Sequence, residues 1–122
     1  MKKVAFICVH NSCRSQIAEA LCKVYRKDLI AYSAGTEIKN TINQDAVRIM
    51  KNVYNIDMSN QYSKLLDNIP KCDIYVSMGC NVSCPFVGKD FDYNFGLDDP
   101  TGKNDDEFIK VIESIKSKIL DI

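Results

Sequence analysis

The sequence predicts a three-layer α/β domain in which a parallel sheet of about four strands is flanked by helices. Two observations lead there. Short apolar, β-rich runs at residues 4–7, 29–33 and 72–78 alternate with segments whose apolar residues recur every three to four positions. That alternation of strand and helix implies parallel strands joined by crossovers. No internal repeat, low-complexity segment or linker interrupts the 122 residues, so we expect one domain over 1–122 with its own core.

The elements follow in order. Residues 4–7 form a buried strand, and the next periodic set, Ile17, Ala18, Leu21, Cys22 and Tyr25, is the inward face of a helix that fades near Arg26. Residues 29–33 make the second strand, closed by Gly35. Asn43 caps a second helix with Ala46, Ile49, Met50 and Val53 inward. Residues 63–68 read as a short third helix ended by Pro70, and 72–78 as a third strand that carries Gly79 and Cys80 to the same rim as Cys8. Residues 91–95 alternate as an edge strand. Asn104 and Glu107 have capping-box spacing and open a final helix with Phe108, Val111, Ile112, Ile115 and Ile119 as its stripe. In such sheets ligands bind at the C-terminal strand edge.

Composition narrows the function. Sixteen basic and sixteen acidic residues cancel, which points away from nucleic acid and anionic membranes and makes any anion site local. Met1-Lys2-Lys3 mimics a secretory start, but its apolar run stops at His10-Asn11 with no cleavage site, and no stretch has the length of a membrane span. A cytoplasmic protein is expected, and nothing demands more than a monomer. In that reducing setting six cysteines are catalytic, metal-binding or buried rather than a disulfide framework.

The chemistry centres on Cys8-Val9-His10-Asn11-Ser12-Cys13-Arg14-Ser15, between the first strand and the first helix. Amides of such a loop and of a first helical turn lack intrahelical partners and suit a tetrahedral oxyanion. Val9, His10, Asn11, Ser12, Cys13, Arg14 and Ser15 would supply this cradle, with the Arg14 fork gripping two oxygens. The same field favours thiolate over thiol at Cys8, a nucleophile aimed at the central atom. The plainer alternative is a buried cysteine and a solvated arginine.

Cys-x5-Arg-Ser after a strand, with Ser33-Ala34-Gly35-Thr36 nearby, resembles the low-molecular-weight tyrosine phosphatase superfamily over nearly the whole chain. The pair Cys80 and Cys84 with Asp98-Asp99-Pro100 resembles, within it, the thioredoxin-linked arsenate reductases. That resemblance implies a relay: Cys8 attacks arsenate, Asp99 protonates the departing oxygen, Cys80 resolves the adduct, and Cys84 takes over the disulfide for thioredoxin to reduce. It implies that Asn11 and Ser15 shape the loop and hydrogen-bond the Cys8 sulfur. No cofactor is required, although some members bind potassium, and Asn11, Glu19, Ser33 and Asp67 match that pattern.

Two features refine the expectation. Bridging Cys80 to Cys84 needs Cα atoms within roughly 7 Å, whereas four extended steps span about 13 Å, so residues 79–88 should change conformation with redox state. The Cys-x3-Cys spacing is shorter than in well-known members. After Asp99-Pro100, Thr101-Gly102-Lys103 lacks the aromatic residues with which phosphatases grip phosphotyrosine, which favours a small inorganic substrate over phosphotyrosine. The alternative is a tyrosine phosphatase or other phosphomonoesterase of the same fold, with Cys80 and Cys84 as protective or regulatory thiols. A four-sulfur zinc site from Cys8, Cys13, Cys80 and Cys84 has the wrong spacing for a tight knuckle. Cys22 reads as core, and His10 as variable loop.

Overall fold

Four parallel strands lie in the order β2-β1-β3-β4 in the computed structural model, which describes residues 1–79 and 90–122. They are β1 (Lys2–Ile7), β2 (Leu29–Ala34), β3 (Ile74–Ser77) and β4 (Tyr93–Asn94), with helices α1 (Arg14–Tyr25), α2 (Gln44–Tyr54) and α3 (Asp105–Leu120). The register levels their C-terminal ends: Ile7 pairs with Ala34 and with Ser77, and Ser77 with Asn94. The loops that begin at Cys8, Gly35, Met78 and Phe95 therefore leave from one edge.

β1 is central, and both of its faces are buried. Val4 and Phe6 join the larger core with α1, α2 and α3, including Ile17, Leu21, Ile49, Phe108, Ile112 and Ile115. Ala5 and Ile7 face a smaller cluster with Ala34, Cys72 and Tyr75, against which Leu66, Ile69 and Phe91 pack. Each large apolar side chain so buried contributes about 1.5–3 kcal/mol. Among the described residues no helix is long and apolar enough to cross a membrane.

The helix caps follow the sequence. Asn43 Oδ1 accepts from the Ala46 amide at 3.0 Å, and Asn104 Oδ1 from the Glu107 amide at 3.0 Å. The elements differ from expectation in three places. Residues 63–68 form a single 3-10 turn, Leu66–Asn68, rather than a helix. Its preceding backbone is already committed: Gly35 N donates to Lys64 O, Leu66 N to Gly35 O, and Lys64 N to Asn11 Oδ1. Tyr25 and Val53 are exposed, because the last turns of α1 and α2 run beyond the core. Conversely, α1 is buried on every side from Ser15 to Cys22, since the segment around Gln61 and Lys64 covers the face that carries Gln16 and Glu19.

Gly35 is required where β2 meets the loop after β1. A Cβ there would clash with the Val9 and Cys8 carbonyl oxygens, both backbone atoms. Gly35→Ala should lower stability by about 1–3 kcal/mol, the cost of overpacking, seen as a lower urea midpoint with an unchanged m-value. An unaltered midpoint would show that the two segments can part freely.

Candidate active site

The loop between β1 and α1 turns its carbonyls outward. Val9 O accepts from the Thr36 and Glu37 amides at 2.8 and 3.0 Å, Ser12 O from the Asn43 amide at 2.7 Å, and Cys13 O from the Ile17 amide at 2.9 Å. His10 O accepts from Ser63 Oγ at 2.8 Å and Asn11 O from Gln16 Nε2 at 3.0 Å. Among the described residues none accepts from the backbone amides of 9–15. A run of inverted peptides with free N–H groups at a helix N-terminus is a receptor for an oxyanion.

Asn11 makes this shape possible. It is fully buried in the left-handed region at φ 50°, which asparagine tolerates better than most residues. Its Oδ1 accepts from Gln16 Nε2 at 3.0 Å and from the Lys64 amide at 2.8 Å, while its Nδ2 donates to Ser15 Oγ at 2.8 Å. Ser15 Oγ lies 2.9 Å from Cys8 Sγ. With Asn11 donating to its oxygen, the Ser15 hydroxyl hydrogen is free to point at the sulfur when Cys8 is ionised. Cys8 is only 5% exposed, so it is reached through the mouth of the cradle.

Arg14 begins α1 at the rim of the cradle. Its Nη1 donates to Leu97 O at 2.5 Å and Met78 O at 3.2 Å, fixing the guanidinium against the ends of the loops after β3 and β4. Gly79, at φ 109°, lets the β3 loop approach: a Cβ there would lie 2.8 Å from Leu97 backbone atoms. Across from Arg14, Asp99 Oδ1 accepts from the Thr101 amide at 3.0 Å and from the Thr101 hydroxyl at 2.7 Å. Burial is the largest influence on the Asp99 carboxyl and would raise its pKa, but these two hydrogen bonds, with smaller contributions from Arg14 and His10, together hold it below the usual range. Both bonds fall on Oδ1, which leaves Oδ2 as the oxygen to carry a proton.

Burial pushes the Cys13 thiol up to about 12, aided by the charge of Asp99, so Cys13 stays a thiol within the cradle wall. A cavity of about 560 Å³ opens beside the loop, lined in part by His10, Ser12, Lys39, Asn43, Asp99 and Thr101. No phenylalanine, tyrosine or tryptophan is among its described lining residues.

The family model for the low molecular weight phosphotyrosine protein phosphatase matches residues 3–121. The chain belongs to that family. Among its relatives, the arsenate reductase of Staphylococcus aureus strain Newman is 40% identical over 124 residues, covering 97% of this chain and 93% of that protein. A solved arsenate reductase in a phosphate-binding state superposes with a TM-score of 0.86 at 32% identity, over 99% of this chain and 95% of that one. The thioredoxin-dependent arsenate reductase of Corynebacterium glutamicum superposes with a TM-score of 0.73 at 26% identity, over 99% of this chain and 59% of that longer one.

Of the residues expected from the sequence of this phosphatase-family chain, Cys8, Asn11, Cys13, Arg14, Ser15 and Asp99 converge on one edge of the sheet. Cys80 and Cys84, and most of the 79–88 segment expected to move, lie outside the described residues. His10 sits at the mouth, its Nε2 2.8 Å from Glu37. The four residues of the potassium pattern are not all brought together. Asn11, Glu19 and Ser33 are buried, but Asp67 is exposed on the 3-10 turn, and Lys64 Nζ stands 3.4 Å from both Glu19 Oε1 and Ser33 Oγ. The backbone bonds of residues 64–66 to Gly35 and Asn11 turn Lys64, not Asp67, toward α1.

Sequence reasoning saw Asn43 only as a helix cap and gave Gln16, Ser63, Lys64 and Thr101 no part in the site. Of these four only Thr101 carried a signal: Asp-Pro-Thr suits a turn in which the Asp side chain accepts from the residue two positions on. Thr101→Val should raise the Asp99 pKa by removing its shorter hydrogen bond, while Thr101→Ser should leave it unchanged. A ¹³C titration of the Asp99 carboxyl reads this directly; equal midpoints in wild type and Thr101→Val would contradict the assigned network.

Proposed function

We propose that this chain reduces arsenate to arsenite through Cys8, Cys80 and Cys84, with thioredoxin as the electron donor. The observation that carries the reading is the loop of free amides that begins at Cys8, with Ser15 Oγ 2.9 Å from the Cys8 sulfur and Arg14 anchored at the same sheet edge. Its near-full-length relatives that are arsenate reductases support the choice of oxyanion.

The Cys8 thiolate attacks arsenic(V), and the oxygen displaced leaves as water with a proton from Asp99. An ionised Asp99 is a poor acid, and the bound anion removes that difficulty: its negative charge offsets the field of Arg14 and favours the protonated carboxyl. The Cys80 thiolate then attacks the Cys8 sulfur. The electron pair of the S–As bond passes to arsenic, which departs as arsenite, and a Cys8–Cys80 disulfide remains. Cys84 attacks the Cys80 sulfur, returns Cys8 as thiolate, and leaves a Cys80–Cys84 disulfide, to which a thioredoxin dithiol donates two electrons by exchange. No cofactor takes part, and the reaction belongs in the cytoplasm, where thiols are kept reduced.

The same cradle suits phosphate-ester hydrolysis, the activity that the family's name describes. The adjacent cavity has no phenylalanine, tyrosine or tryptophan among its described lining residues to stack on an aryl ring, which favours a small inorganic anion over an aryl phosphate.

Arsenate-dependent NADPH consumption with thioredoxin and thioredoxin reductase should show multiple turnover in wild type. It should be abolished in Cys8→Ser, Cys80→Ser and Cys84→Ser, and Asp99→Asn should fall by about 100- to 10,000-fold, the range for a lost general acid. Absence of turnover, with aryl phosphate hydrolysis that survives Cys80→Ser and Cys84→Ser, would make the protein a phosphatase.

A further inference from the structure

Glu19 is a carboxylate inside the domain, 4% exposed on α1. A charge there requires partners, because an unpaired buried carboxylate is heavily penalised. Oε2 binds Lys23 Nζ at 2.6 Å, from the half-exposed rim. Oε1 accepts from Ser33 Oγ at 2.6 Å and faces Lys64 Nζ at 3.4 Å. Lys64 Nζ also lies 3.4 Å from Ser33 Oγ and donates to Tyr62 O at 3.0 Å.

Three oxygens of different kinds, a carboxylate, a hydroxyl and a backbone carbonyl, thus converge on one ammonium. That donor set suits a monovalent cation, and it is already taken. The Asn11 side chain cannot complete it, since its Oδ1 accepts from both Gln16 and the Lys64 amide, and Asp67 is not among the converging groups. A free potassium ion does not fit.

We propose that the Lys64 ammonium is the resident cation of this site and makes the oxyanion loop independent of dissolved ions. The residue reaches both ends of the coupling. Its side chain neutralises Glu19 beneath α1, its amide holds Asn11 in the loop, and its carbonyl holds Gly35 at the end of β2. Lys64 is a positioning residue: it acts on Cys8 through Asn11 and Ser15. A tethered cation does not dissociate, so the coupling holds at any potassium concentration.

The stability arm of the test does not depend on the proposed arsenate chemistry. Thermal unfolding would be followed in potassium, sodium and choline chloride at matched ionic strength, for wild type, Lys64→Ala and Lys64→Gln. Wild type should show one midpoint in all three salts. Both variants should have lower midpoints in choline, and potassium should raise that of Lys64→Ala by about 4 °C or more, the linkage expected once the ion exceeds its dissociation constant by tenfold. A wild-type midpoint raised by potassium over choline would overturn the proposal, whatever the variants do. So would variants that unfold like wild type in every salt. Folding of Lys64→Ala only in potassium would support it, and failure of Lys64→Ala in all salts transfers the comparison to Lys64→Gln. Arsenate turnover, measured alongside, should be ion-independent in wild type and potassium-responsive in Lys64→Ala; ion-independent midpoints without arsenate turnover would contradict the functional reading alone.

Discussion

Five outward-turned carbonyls, from Val9 to Cys13, hold the loop after β1 with its amides facing in, and the remaining architecture serves that inversion. Each buried amide left without an acceptor costs about 1–3 kcal/mol, so a loop with this many is stable only because the carbonyl side is so fully bonded. The donors come from every surrounding element: Thr36 and Glu37 after β2, Asn43 at the start of α2, Ser63 before the 3-10 turn, and Gln16 and Ile17 within α1. An oxyanion bound as proposed would satisfy the amide side, which would make binding and local stability the same interaction seen from two directions.

Placement also sorts the cysteines. Burial raises the thiols of Cys13 to about 12 and of Cys22 and Cys72 to about 11, which keeps all three protonated at neutral pH. Cys8 is equally enclosed, but it alone stands at the start of the loop with the free amides, its sulfur 2.9 Å from Ser15 Oγ. The domain can thus carry several cysteines without ambiguity about which one meets the substrate. Glu19 and Lys64 play a comparable part for charge: ionic groups are admitted to the interior only as partners.

What could be read from the sequence was local. Strand, tight loop and helix lie within 25 residues, and the residue types there restrict both the backbone and its chemistry, so Cys8 and Arg14 were identifiable; Asn11 and Ser15 followed from the family resemblance. The caps Asn43 and Asn104 were legible for the same reason. The bonds that hold the loop were not, because the Asn43 amide, Ser63 and Lys64 are distant in sequence and are brought in by register and crossover. Glu19 shows the difficulty: on an amphipathic helix it reads as a solvated charge, and only the segment around Gln61 and Lys64, folded over it, makes it interior. The place of Lys64 was likewise not legible, because the backbone pairing of Gly35 with Leu65 helps decide which side chain of that segment faces inward.

The account rests on an oxyanion sitting directly over the Cys8 sulfur. The most direct measurement is the rate of Cys8 alkylation by iodoacetamide, resolved by peptide mass spectrometry, as arsenate or phosphate is titrated in. Cys8 should react well before Cys13, Cys22 and Cys72, and either anion should protect it in a saturable manner while leaving those three unchanged. Alkylation of Cys8 that is no faster than that of Cys22, or that is indifferent to both anions, would contradict the account.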